Sequence, residues 1–439
     1  MKSLLIANAL IVNEGTRTPA DVLLRGDRIE RIAPSLPADA ADDVLDADGA
    51  WLLPGMIDAH VHCREPGMEA KGDLLSETRA ALAGGVTSIM DMPNTRPAVL
   101  DRDALEEKFA LAEGRSATNY SFYLGASNDN VEELLALDPR GVCGVKLFMG
   151  ASTGNLLVDR ESALERIFAA VRLPLTVHCE YTPLIQANER AARERYGDAI
   201  PFSAHPEIRS REACLRSARQ AVELAERHQT RLHVLHLSTA EETALFAPGP
   251  VEGKRVTAEA CPHHLLFSDA DYERLGARMK CNPAIKTAED REALRQAVLD
   301  GRIDAFGTDH APHLPEEKNR PYAAAPSGMP GIGEALPLLM ELFDPETVVE
   351  KYAHNPARIF DVEERGFVRE GYRADLVLFD PDRPGLVEPR TVRYKCGWSP
   401  YEGMRFSGAV RTVLLNGAVA FRDGRLAPSI HGRRLAFDR

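Results

Sequence analysis

The chain has 439 residues, 44% of them hydrophobic and 27% charged, enough for one large buried core plus a smaller one, which excludes a disordered chain. A formal net charge of -13 and a pI near 5.6 set the surface against nucleic acid and anionic membrane, so an anionic substrate needs a local cluster of cations. No apolar run reaches membrane-span length, Met1 to Leu10 carries no leader pattern, and seven cysteines without CxxC spacing read as reduced thiols, which together predict a cytoplasmic protein.

Residues 1–53 read as short strands, SLLIANALIVNEG, ADVLLRGDRIERIAP and a run ending in WLLPG, broken by glycine-containing turns. From 54 to 365 apolar runs alternate with helical stretches. The runs are TSIMDMP, NYSFYLGAS, GVKLFMG, LPLTVHCE, RLHVLHLST, VTAEACPHH and IDAFGTDHAPH, and typical spacers are ALEEKFALAEG and REACLRSARQAVELAERH. This βα repeat predicts an α/β protein with a parallel (β/α)8 barrel. Residues 366–439 return to short alternating strands, GYRADLVLFD and VRTVLLNGAVAFRDGRL, with Asn-Gly and Asp-Gly hairpin signals. The two ends are expected to build one small β-sandwich beside the barrel.

The apolar runs end in His60, His62, Asn94, Lys146, His178, His236 and Asp309, and in a barrel the C-terminal ends of all strands share one mouth. His60 and His62 alternate to the same side of their strand, and imidazole suits zinc and related ions. His178 and His236 suit a second pair. His233 lies three residues before His236, so strand alternation sends it to the opposite side. Lys146 is costly as a cation inside an apolar strand. Either its stem runs along the apolar surface and carries the ammonium to solvent, or as a neutral amine it takes up carbon dioxide, giving a carbamate that can bridge two metal ions. Asp309 can bind metal and also move a proton. Asp58 either orients a metal-bound histidine or simply ends its strand, and His263 and His264 are expected to make structural hydrogen bonds.

In order and spacing, DAHVHCREPG, MPNT, GVKLFMG, TVHCE, LHVLHLS, CNPAIK and GTDHAPH resemble the dihydroorotase branch of the amidohydrolases over essentially the whole chain. The tail YAHNPARIFDV, GYRADLVLFD and KCGWSPYEG is similar to one shared by dihydroorotases, allantoinases and hydantoinases. The resemblance implies two zinc ions per chain, one held by His60, His62 and Asp309 and the other by His178 and His236, bridged by carboxylated Lys146 and a hydroxide. It implies Asp309 as the acid–base group of a reversible ring opening. Arg64, Asn94 and His313 would grip a substrate carboxylate, Asn282 would contact the ring, and the protein would be a homodimer acting on a small anionic molecule. Many dihydroorotases read NPPLR where this chain reads Asn282-Pro283-Ala284-Ile285-Lys286, and allantoinases and hydantoinases keep the same lysine as Lys146, so their rings are the alternative substrates. A non-catalytic scaffold is the reading from another class, disfavoured because such relatives lose ligands. Residues 150–155 are expected to fold over bound substrate, and 314–333 to wall the pocket.

Overall fold

The computed structural model describes residues 2–150 and 154–439. Strands from both chain ends share one nine-stranded sheet, in the order Arg425–Leu426, Ala418–Arg422, Ala409–Leu415, Leu376–Asp380, Trp51–Pro54, Ser3–Asn13, Thr16–Arg25 and Arg28–Ala33, with Asp43–Asp46 also paired to Ser3–Asn13. The ends meet where Trp51–Pro54 runs antiparallel to Leu376–Asp380. The hairpins turn where the sequence carries turn chemistry. Glu14-Gly15, Asn416-Gly417 and Asp423-Gly424 all have positive φ at both residues, the backbone that a two-residue hairpin between right-twisted strands requires. At Gly417 a Cβ would lie 1.9 Å from the Gly26 carbonyl oxygen, so the turn needs glycine for space as well as for φ.

Alternation assigns the two faces of this sheet. Leu52, Leu376 and Leu378 pack with Ile6, Val22, Leu24 and Leu414 in one apolar cluster, whereas Leu53, Val377 and Phe379 join the large core that includes Leu336, Leu339 and Ala80. Each such fully buried side chain contributes about 1.5–3 kcal/mol of transfer free energy, so the sheet is held to the rest of the chain by its second face.

Between the two ends the strands are parallel and follow one another in chain order. Met56–Val61, Val86–Asp91 and Asn119–Phe122 form one arc, and Leu124–Gly125, Val145–Phe148, Leu175–His178, Leu232–Val234, Val256–Ala260 and Ala305–Phe306 form the other. The arcs adjoin through a single chain run broken between Phe122 and Leu124. At the remaining seam Val61 and His310 form an isolated parallel bridge, and the His62 N–H donates to the His310 carbonyl over 2.8 Å. The order agrees with a (β/α)8 architecture, with the regular ladder interrupted at those two places. Helices fill the intervals. Arg211–His228 starts at Ser210, whose side chain accepts the Ala213 N–H, and buries Cys214, Ser217, Ala218, Ala221 and Ala225, a small-residue stripe at helical spacing that lets the helix lie close to the strands.

Candidate functional site

Because the inner strands are parallel, their C-terminal ends lie on one rim, and His60, His62, Lys146, His178, His236 and Asp309 all fall there and are buried or nearly so. The rings of His60 and His62 are 5.6 Å apart, those of His60 and His236 5.2 Å, and those of His178 and His236 4.6 Å. Asp309 Oδ1 lies 2.8 Å from His62 Nε2 and 3.2 Å from His60 Nε2, so donor atoms of three residues from opposite ends of the parallel run converge on one point. His178 Nδ1 and His236 Nε2 face each other at 2.8 Å.

The outer nitrogens explain which inner ones are free for a metal. His60 Nδ1–H donates to Glu259 (2.5 Å), His62 Nδ1–H to Asn94 Oδ1 (2.8 Å) and His178 Nε2–H to Glu180 (2.9 Å). In the neutral rings each acceptor oxygen keeps the proton on its side, leaving His60 Nε2, His62 Nε2 and His178 Nδ1 as the inward lone-pair donors, for His60 only after a metal displaces the second proton it carries beside Asp309. The buried Nδ1 of His236 has no partner among the described residues. Burial would lower His60, yet Glu259 and Asp309 raise it to about 9; burial pulls His62 down to about 4. Burial would raise the Asp309 carboxyl, but His60 and His62 hold it well below the usual carboxylate range, so it stands ionised.

Lys146 is 1% exposed, and its Nζ makes no hydrogen bond or ion pair among the described residues, lying 4.5 Å from the Phe148 ring centre. Burial pulls its amine down to about 8, so near that pH a substantial fraction is the neutral nucleophile that carbamate formation requires. Convergent imidazoles, an ionised carboxylate and this amine form a donor set that fits divalent metal.

Beside the histidines lies a group of cations. Arg64, at the end of the loop from His62, is buried with φ 71. Its Nε donates to the Pro312 carbonyl (3.0 Å), and its Nη2 lies 3.1 Å from His313 Nε2. The loop is pinned from below, because Asp91 accepts the Cys63 N–H and pairs with buried Lys108. A Cβ on Gly67 would fall 1.8 Å from the Arg96 carbonyl oxygen, so only glycine permits this approach. Asn94, through its oxygen, is already engaged with His62, while its amide nitrogen makes no hydrogen bond among the described residues. Asn282 Oδ1 is buried without a partner among the described residues. Of the segment expected to cover the substrate, residues 151–153 lie outside the described residues.

Several side chains were not singled out in the sequence. Glu259 holds both His60 and His233, the latter at 3.3 Å, and its signal was a charged residue inside the apolar VTAEA strand. Glu180 follows His178 by two residues and is paired with Arg209. Lys71 places its Nζ 3.1 Å from His313 Nδ1, a proximity across 242 positions that no spacing discloses. Asp58 accepts the His60 and Thr308 backbone N–H groups and the Tyr352 hydroxyl, so it ties strands together and touches no histidine ring. His233 does point inward. The alternation that opposed it to His236 fails because the strand ends at Val234 and His236 adopts φ 39. His264 donates to the Pro283 carbonyl, whereas His263 Nε2 has no partner among the described residues.

A sequence model of the amidohydrolase family matches residues 51–420. The chain is 34% identical to the dihydroorotase of Methanosarcina acetivorans over 421 residues, 92% of this chain and 89% of that protein. It is 33% identical to the allantoinase of Rubrobacter xylanophilus over 445 residues, covering 98% and 96%. Among solved structures, L-hydantoinase from Arthrobacter aurescens superposes with a TM-score of 0.91 at 27% identity, covering 97% of this chain and 98% of that one. This likeness takes in both the parallel strands and the two-ended sheet, as expected of a barrel-plus-sandwich hydrolase. No helix among the described residues is long and apolar enough to cross a membrane.

Proposed function

The chain belongs to the amidohydrolase family, and from that premise we propose that it is a dihydroorotase, a hydrolase that opens the cyclic amide of dihydroorotate to N-carbamoyl-aspartate and closes it in reverse. The observation that carries this reading is the meeting of buried Arg64 and His313 at 3.1 Å beside the His62–Asp309 pair. A neutral ring gives a buried guanidinium no counter-charge, whereas a carboxylated ring does. The prevalence of dihydroorotases among the sequence relatives supports the same choice.

His60, His62 and Asp309 would hold one zinc, His178 and His236 the other, and Lys146 as its carbamate would join them. When bound, the ions supply a nucleophilic water near neutral pH and polarise the amide carbonyl. Glu259 and Glu180 keep His60 and His178 in the tautomers that face inward. Asp309, ionised beside His60 and His62, takes the proton from the attacking water and delivers it to the ring nitrogen as the amide bond breaks. Arg64, the Asn94 amide N–H groups and His313 hold the substrate carboxylate, and the free oxygen of Asn282 accepts from a ring N–H. Seven buried, unpaired cysteines support a reducing, cytoplasmic setting.

The second reading, a ring without the carboxylate, is favoured by the similarity to an allantoinase and by the hydantoinase structures. Arg64→Ala separates the two. Loss of a charge-assisted contact costs about 1.5–3 kcal/mol, so KM for dihydroorotate should rise roughly tenfold to a hundredfold with metal content intact. An unchanged KM would remove the carboxylate clamp from the reading.

A further inference from the structure

His313 is surrounded by more hydrogen-bond donors than it can accept. Its Nδ1 lies 3.1 Å from Lys71 Nζ. Its Nε2 lies 3.0 Å from the Ser327 carbonyl oxygen and 3.1 Å from Arg64 Nη2. A neutral imidazole carries one N–H and one lone pair, and burial, helped by the neighbouring cations Arg64, Lys71 and Lys318, keeps the ring neutral. An ammonium only donates, so Nδ1 must accept from Lys71 and the proton must sit on Nε2, where it donates to Ser327. The Arg64 N–H then faces another N–H. This conflict is relieved when an anion enters to accept from both.

From this geometry we infer that Lys71 is a positioning residue for substrate recognition, fixing His313 as an Nε2–H donor so that Arg64 and the ring, though close, cannot satisfy each other. The inference rests on the proposed carboxylated substrate for its consequence, but not for its geometry. Glu317 holds Lys71 in place at 2.9 Å and stands 3.6 Å from His313 Nδ1. With Lys71 removed, the proton gains more by moving to Nδ1, toward Glu317, because Nε2 can then accept from Arg64. The guanidinium and the imidazole then satisfy each other, and the carboxylate must break that pair in order to bind. The surrounding backbone has little freedom to compensate. Trp398 Nε1 donates to the His313 carbonyl (2.7 Å), and Lys318 Nζ donates to the carbonyls of Lys280, Pro326 and Gly328.

The test compares zinc-loaded wild-type protein with Lys71→Met and Lys71→Arg, by steady-state kinetics on dihydroorotate and by 15N spectra of histidine-labelled protein, with His313→Gln used to assign the ring. For Lys71→Met the expected result is a KM raised about tenfold with kcat within about twofold, and a His313 proton moved from Nε2 to Nδ1 without substrate. Arginine, which also only donates, restores both. If His313 keeps its Nε2 proton in Lys71→Met, or if kcat falls while KM stays, the inference is overturned. Wild-type protein inactive on dihydroorotate would instead overturn the substrate reading, and the tautomer spectra would still decide the role of Lys71.

Discussion

Replacing Glu259 by glutamine changes one charge and almost no volume at the innermost support of the proposed metal site. The glutamine oxygen can still accept from His60 Nδ1–H, and its amide nitrogen faces His233 Nε2, which can accept once the ring proton moves to Nδ1 and is donated to the Thr257 hydroxyl oxygen. What disappears is the anion 2.5 Å from His60, with both side chains 1% exposed. A buried hydrogen bond to a charged partner is worth about 1.5–3 kcal/mol, and loss of such outer support typically weakens metal binding by about 10- to 100-fold. Competition of zinc-loaded Glu259→Gln and wild-type protein against chelators of graded strength measures that difference directly, with circular dichroism checking that the barrel is intact. A folded Glu259→Gln protein that holds zinc as tightly as wild type would refute the idea that the carboxylate sets the basicity of His60.

Lys146→Ala should lose metal and activity together, seen as metal content per chain after desalting and turnover on the same sample, because the buried amine would be the source of the proposed bridging ligand. Asp309→Asn should abolish turnover through loss of the proposed proton carrier, with weakened metal content restored by excess zinc but activity not restored. Glu334 offers a pH test outside the proposed metal ligands: burial pushes its carboxyl up to about 7 from 4.5, and its partner is the Tyr394 hydroxyl. Between those values the folded state binds more protons than the unfolded, so this group costs stability as pH rises through the window, on the order of 1–3 kcal/mol once above it. Glu334→Gln should therefore melt higher than wild type at pH 8 and at a similar temperature at pH 5; equal shifts at both would contradict it.

What the sequence disclosed follows from local rules. Period-two alternation in ADLVLFD and the Asn-Gly and Asp-Gly pairs located the strands and turns of the two-ended sheet, because those choices are made by neighbours in sequence. His60, His62, His178, His236 and Asp309 were legible because each interrupts an apolar run at its end. Glu259 breaks the same rule inside its own strand, where a charge is costly unless it is paired. The role inferred for Lys71 was beyond reach, since it depends on the fold bringing the loop after the first inner strand against the one after the last. His233 misled because alternation was extended past Val234, where the strand stops.

The most direct measurement is the hydrolysis of dihydroorotate, allantoin and hydantoin, side by side, by one zinc-loaded preparation whose metal content per chain is determined on the same sample. A strong preference for dihydroorotate with about two metals per chain is the predicted result. Full metal occupancy with a preference for either uncarboxylated ring would contradict it, and would leave the buried Arg64 without the anion assigned to it.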